Sequence, residues 1–155
     1  IKPLRVADAA NANQPRRFVM SMQHMSALLN GRSYAMNDVK PDEIMPLNTV
    51  QLIEFDNGYT DGQGMGMRMD MPHPMHLHGE QFQIVKREIK DANQSSYASV
   101  AAGFVDSGWH DTVLVMPGEK VTILKPFNDY AGVFMVHCHN LEHEDMGMMR
   151  DLLVQ

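Results

Sequence analysis

The sequence predicts an all-β fold, a Greek-key sandwich or barrel. Three observations lead there. About eight short runs rich in β-branched and aromatic residues recur along the chain. Turn signals separate them, among them Asn30-Gly31, Asn57-Gly58 and Pro117-Gly118. The 155 residues are 44% hydrophobic and 21% charged, which suits one domain with a sizeable core.

Taken in order, residues 1–15 show little pattern and read as a linker entering the domain. Residues 17–23 alternate and form the first expected strand. Asn30-Gly31 is a hairpin signal, and residues 34–47, with Pro41 and Pro46, read as loop or a short helical turn. Residues 49–55 are the next strand and end at Asn57-Gly58. Residues 58–71 are rich in glycine and methionine. Met65, Met67, Met69 and Met71 recur every second residue, which reads first as a core face or loop and second as a soft Cu(I)-binding patch. Residues 81–89 continue a strand that starts near Pro74. Residues 91–103, small and polar, read as a surface loop. Strands at 113–116, 121–127, 133–139 and 149–154 complete the pattern.

The chemistry gathers in two stretches. One is His137-Cys138-His139-Asn140-Leu141-Glu142-His143, followed by Met148; the other is His73-Pro74-Met75-His76-Leu77-His78-Gly79. Successive side chains on a strand point to opposite faces. His137 and His139 therefore share a face and Cys138 takes the other; His76 and His78 share a face and His73 takes the other. Laid side by side, the strands give one cluster of His76, His78, His137 and His139. They give a second of His73, Cys138, His143 and a nearby Met. Two imidazoles, a thiolate and a weak thioether form the ligand set of a blue-copper electron-transfer site. Zinc also accepts mixed His and Cys ligands, but gains nothing from a thioether. A lone Cys is more often an inert buried residue; its two histidine neighbours overturn that default. Spacing does not separate Met148 from Met146 or Met149 as the thioether.

The motifs HPMHLHG and HCHNLEHEDMGMM, with Trp109-His110-Asp111-Thr112-Val113 and Pro117-Gly118-Glu119 in matching order, resemble the C-terminal cupredoxin domain of multicopper oxidases, the laccase and cuprous-oxidase group. The similarity is clearest from residue 48 onward. It implies a cupredoxin fold over residues 1–155 and copper as the metal. It implies His73, Cys138, His143 and axial Met148 at a type 1 copper, His76 at a type 2 copper, and His78, His137 and His139 at a type 3 pair. Electrons would enter at the type 1 site and reduce O2 to water at the three-copper cluster. Phenols, aromatic amines or metal ions would be the reductants, and the setting periplasmic or secreted. The acid at Glu144 would deliver protons, against a plain reading as solvated charge. Asp111 would orient a ligand loop by accepting a hydrogen bond, against a reading as a turn cap. His24 and His110 fall outside the motifs and read as ordinary histidines.

Members of that family use eight histidines for the three-copper cluster, and this chain offers four. An N-terminal cupredoxin domain, of the same protein or of another chain, is therefore the expected partner, and the 155 residues alone are expected to be inactive as an oxidase. A start at Ile1, in an apparent linker and without Met, fits the C-terminal part of a longer oxidase or one whose leader has been removed. The other reading is a stand-alone cupredoxin that carries electrons, although such a carrier has no use for His76, His78, His137 and His139. A net charge of −6 argues against nucleic-acid or anionic-membrane partners, and no apolar run approaches the roughly 20 residues of a membrane span.

Overall fold

In the computed structural model, residues 2–62 and 70–155 are described. Ten strands among them form two five-stranded sheets. The first sheet has the order β2-β1-β4-β8-β6, from β1 (Arg16–Gln23), β2 (Ser26–Leu29), β4 (Thr49–Asn57), β6 (Gln83–Ile89) and β8 (Glu119–Phe127). The second has the order β3-β10-β9-β5-β7, from β3 (Ile44–Met45), β5 (His73–Leu77), β7 (Thr112–Val115), β9 (Gly132–Cys138) and β10 (Met149–Val154). Two pairings are parallel, β1 with β4 and β3 with β10. The others are antiparallel.

The two sheets bury one core between them. Phe18, Met20, Ile53, Phe55 and Ile123 come from the first sheet and Met75, Leu77, Val115, Val136 and Leu152 from the second. Phe18 and Phe55 pack with ring centroids 5.9 Å apart, within the range of favourable aromatic pairs. At about 25 cal/mol per Å² of apolar surface removed from water, each such ring contributes roughly 2–3 kcal/mol. This core fixes which face of β5 and β9 looks inward, and so which ligands lie inside the sandwich.

The strand expected from Pro74 to Ile89 is in fact two strands in different sheets. β5 ends at Leu77 and β6 starts at Gln83. Between them Gly79 has φ +83°, and a Cβ there would press within 3.3 Å of the Phe134 ring. The left-handed conformation turns the chain out of the second sheet. Residues 91–103, expected as a loop, hold the helix α1 (Gln94–Ala101). It buries none of its residues, so no apolar stripe marks it in the sequence; Tyr97 tethers it through its hydroxyl to Glu119 Oε1, 2.7 Å away. A second short helix, α2 (Leu141–Asp145), follows β9, with the Asn140 side chain accepting the Glu142 amide at 3.1 Å.

The first residues do not hang free of the sheets. The Leu4 amide donates to Gln83 Oε1 at 2.8 Å, and Asn11 holds both the amide and the carbonyl of Leu52. Met65, Met67 and Met69 lie outside the described residues, so the methionine run has no structural account beyond Met71.

Candidate metal centres

β5 and β9 are antiparallel neighbours, with Met75 opposite Cys138 and His76 opposite His137. Strand alternation then sorts the ligands. His73, Met75 and Leu77 point into the core, as does Cys138, while His76 and His137 lie on the other face. The structure brings His73, Cys138 and His143 together on one side and His76, His78 and His137 on the other.

The inner cluster is His73, Cys138 and His143, whose ligand atoms all lie within 4.8 Å of one another. Cys138 Sγ is 3.6 Å from His73 Nδ1 and 3.4 Å from His143 Nδ1. All three residues are buried. β5 supplies His73, the end of β9 supplies Cys138, and α2 supplies His143. Burial pushes the His73 imidazole down to about 3, with the neighbouring His143 adding to it, and burial also lowers His143. Both rings are therefore neutral near pH 7, the form that binds a metal. Burial pushes the Cys138 thiol up to about 11. Without a nearby cation it keeps its proton, and a metal must displace that proton to bind the thiolate.

Met148 is fully buried in the core. Its amide donates to the His143 carbonyl at 2.9 Å, and its carbonyl accepts from the Cys138 amide at 3.0 Å. Its backbone thus touches two of the three ligand residues. Met146 and Met149 are only partly buried.

The outer cluster is His76, His78 and His137, again with ligand atoms within 4.8 Å. His78 Nε2 is 3.1 Å from His137 Nε2. His139 stands beside them, its ring centroid 5.5 Å from that of His76 and 5.4 Å from that of His137. His76 Nδ1 donates to the Asp111 backbone carbonyl at 2.9 Å and lies 3.0 Å from Thr112 Oγ1. A carbonyl only accepts, so the proton sits on Nδ1 and Nε2 is left for a metal. Burial lowers the pKa of His76 and of His78. His78 and His139 are exposed, so this cluster opens at the surface of the chain.

The acids sit close by. Glu144 Oε2 is 3.4 Å from His137 Nδ1. Asp111 contacts His76 through its main-chain carbonyl, and that carbonyl also accepts the Leu77 amide at 3.1 Å. The oriented imidazole thus has a backbone acceptor. Thr112, which shares that imidazole, lies in the quoted Trp109–Val113 motif but was not singled out there, because a threonine carries no metal-ligand chemistry. His24 sits in the β1–β2 turn with φ +53°, and His110 bridges Phe82 through backbone bonds of 2.7 and 2.9 Å; among the described residues neither joins a cluster.

The donor set fits copper. Cys138 Sγ and the Nδ1 atoms of His73 and His143 converge in the core, with all three residues buried. A soft thiolate with imidazoles and a buried thioether nearby suits copper better than a hard ion.

Comparison with known proteins supports the same metal. The family model described as multicopper oxidase matches residues 6–155. The chain is 38% identical to a laccase of Bacillus stratosphericus over 88 residues, 52% of this chain and 17% of that protein. It is 30% identical to the multicopper oxidase mco of Staphylococcus aureus over 126 residues, 81% of this chain and 24% of that protein. The structure of the McoA multicopper oxidase from Aquifex aeolicus superposes with a TM-score of 0.71 at 28% identity, covering 100% of this chain and 31% of that one. The chain thus spans about a quarter or less of the curated relatives it matches. Its two-sheet sandwich is a cupredoxin fold, copper is the metal the family implies, and the chain belongs to the multicopper oxidase family.

Proposed function

We propose that the chain is the C-terminal cupredoxin domain of a laccase-like oxidase that takes electrons from a reducing substrate and reduces O2 to water. His73, Cys138, His143 and Met148 would hold the type 1 copper. His76 would serve the type 2 copper, and His78, His137 and His139 the type 3 pair. Bound copper supplies one-electron redox chemistry at the first site and oxygen reduction at the second.

The observation that carries the reading is the division of one strand between two ligand clusters. Cys138 Sγ lies against His73 and His143 on one side of β9, and its neighbour His137 meets His78 on the other. A single covalent path joins the two sites. The core around Cys138 and Met148 excludes water from the inner one, which keeps the thiol from side reactions.

The outer cluster supports the partner. Its His78 and His139 are exposed, and His78 lines one pocket with the exposed Tyr130. The relatives are several times longer than this chain, which favours an N-terminal cupredoxin domain, of the same protein or another chain, as the source of the missing histidines. Glu144, at 3.4 Å from His137 Nδ1, would hold a proton beside the outer cluster. The Asp111 carbonyl fixes the His76 tautomer. Phenols, aromatic amines or low-valent metal ions are the proposed reductants, and the proposed setting is periplasmic or secreted. Among the described residues no helix is long and apolar enough to cross a membrane.

A copper count with oxygen uptake tests the reading. The 155-residue chain should bind one blue copper and consume no O2. The assembly with its N-terminal domain should bind four coppers and turn over. Steady oxygen uptake by the purified chain alone refutes the need for a partner.

A further inference from the structure

The turn that delivers His143 and Met148 is gripped by a segment more than 100 residues upstream. The Tyr34 amide donates to the Gly147 carbonyl at 2.9 Å, and Ser33 Oγ donates to the Met146 carbonyl at 3.3 Å. Gly147 has φ +102°, and a Cβ there would overlap Ser33 Oγ and sit 3.0 Å from the Tyr34 nitrogen. The two segments touch backbone to backbone, with room only for glycine.

That upstream segment is itself held by the residues that leave the ligand turn. Arg150, fully buried, donates to the Ser33 carbonyl at 2.9 Å and to the Leu29 carbonyl at 3.2 Å. Asp151 accepts the Tyr34 hydroxyl at 3.3 Å and the Asn37 amide at 2.8 Å. Glu43, also buried, lies 3.4 Å from Arg150 Nε and 3.4 Å from Arg32 Nη1. The contacts form a closed circuit. Residues 33–34 hold 146–147, and residues 150–151 hold 33–34.

We infer that Ser33 and Tyr34 are a positioning strap for the type 1 copper ligands, with Arg150 as its buried anchor. The inference rests on the assignment of His143 and Met148 as ligands. Two features make the strap more than a packing contact. It grips the turn between the two ligands, and it does so through main-chain carbonyls, which fix position without occupying a ligand atom. A helix as short as α2 has little rigidity of its own, so its placement comes from tertiary bonds. A buried arginine is costly to keep, and this one is spent on two carbonyls of the strap and its approach.

The test uses the complete copper-loaded protein and two variants. Arg150→Met/Glu43→Gln removes the anchor together with its charge partner. Ser33→Ala/Tyr34→Phe removes only side-chain bonds from a largely exposed segment, so it keeps the fold if the first variant does not. The readouts are the blue absorption band, the type 1 reduction potential, and hydrogen exchange at the Cys138 and Tyr34 amides in metal-free protein. The expected result is a shifted band and potential and amide exchange at least tenfold faster at Tyr34, with circular dichroism unchanged. A lowered melting temperature with band, potential and exchange all unchanged would make the segment a structural cap and overturn the proposal. A wild-type protein with no blue band overturns the ligand assignment, and the strap proposal with it.

Discussion

Lys125 offers a prediction whose size follows from the structure. It lies on β8, is 1% exposed, and donates through Nζ to the Glu80 carbonyl, with the Phe127 ring 5.4 Å away. Burial pushes its ammonium from 10.5 down to about 8, with Glu80 and Asp111 opposing. The depressed value means that the folded chain gives up the proton more readily than the unfolded chain. Below pH 8 both states are charged and folding bears the full cost of burying the charge. Between pH 8 and 10.5 only the unfolded state holds the proton, so stability rises with pH. At about 1.4 kcal/mol per tenfold, the gap is worth roughly 3 kcal/mol. Lys125→Met keeps the apolar stem and removes the charge. The assay is urea denaturation of both proteins at pH 7 and pH 10.5. The variant should gain on wild type at pH 7, and that advantage should shrink by roughly 3 kcal/mol at pH 10.5. A stability difference that stays constant across that range refutes the reasoning. The variant should also hold copper less well at the outer cluster, because Lys125 pins the Glu80 carbonyl two residues after His78.

Three further outcomes follow from the metal centres. Cys138→Ser should abolish the blue colour and oxidase turnover while the fold survives by circular dichroism; blue colour retained in that variant sinks the type 1 assignment. Met148→Leu should keep the blue site and raise its reduction potential, since a weak donor is lost; an unchanged potential transfers the role to Met146 or Met149. Glu144→Gln should slow oxygen reduction more than substrate oxidation in single-turnover kinetics, and equal slowing of both steps leaves Glu144 as surface charge.

Much of this architecture was readable from the chain. Histidines at every second residue and a Cys between two His give face assignments that the β5–β9 register reproduces. What failed to show was the path of the chain between strands. The run from Pro74 to Ile89 reads as one strand in the sequence, but the chain turns at Gly79, with φ +83°, and passes from one sheet to the other. Helix α1 was hidden because it buries nothing. Helix α2 was masked because it is only five residues long and lies within the motif read for its candidate ligand His143. The grip of Ser33 and Tyr34 on Gly147 was beyond reach, since contacts across more than 100 residues leave no trace in local pattern.

The acceptor for His76 has one more implication. Main-chain oxygen at position 111 is present whatever side chain is attached. Replacing Asp111 by Asn or Ala therefore leaves the ring's proton address unchanged, so long as β7 stays beside β5. The orientation of this imidazole is inherited from sheet geometry, and it survives sequence drift that would erase a side-chain partner.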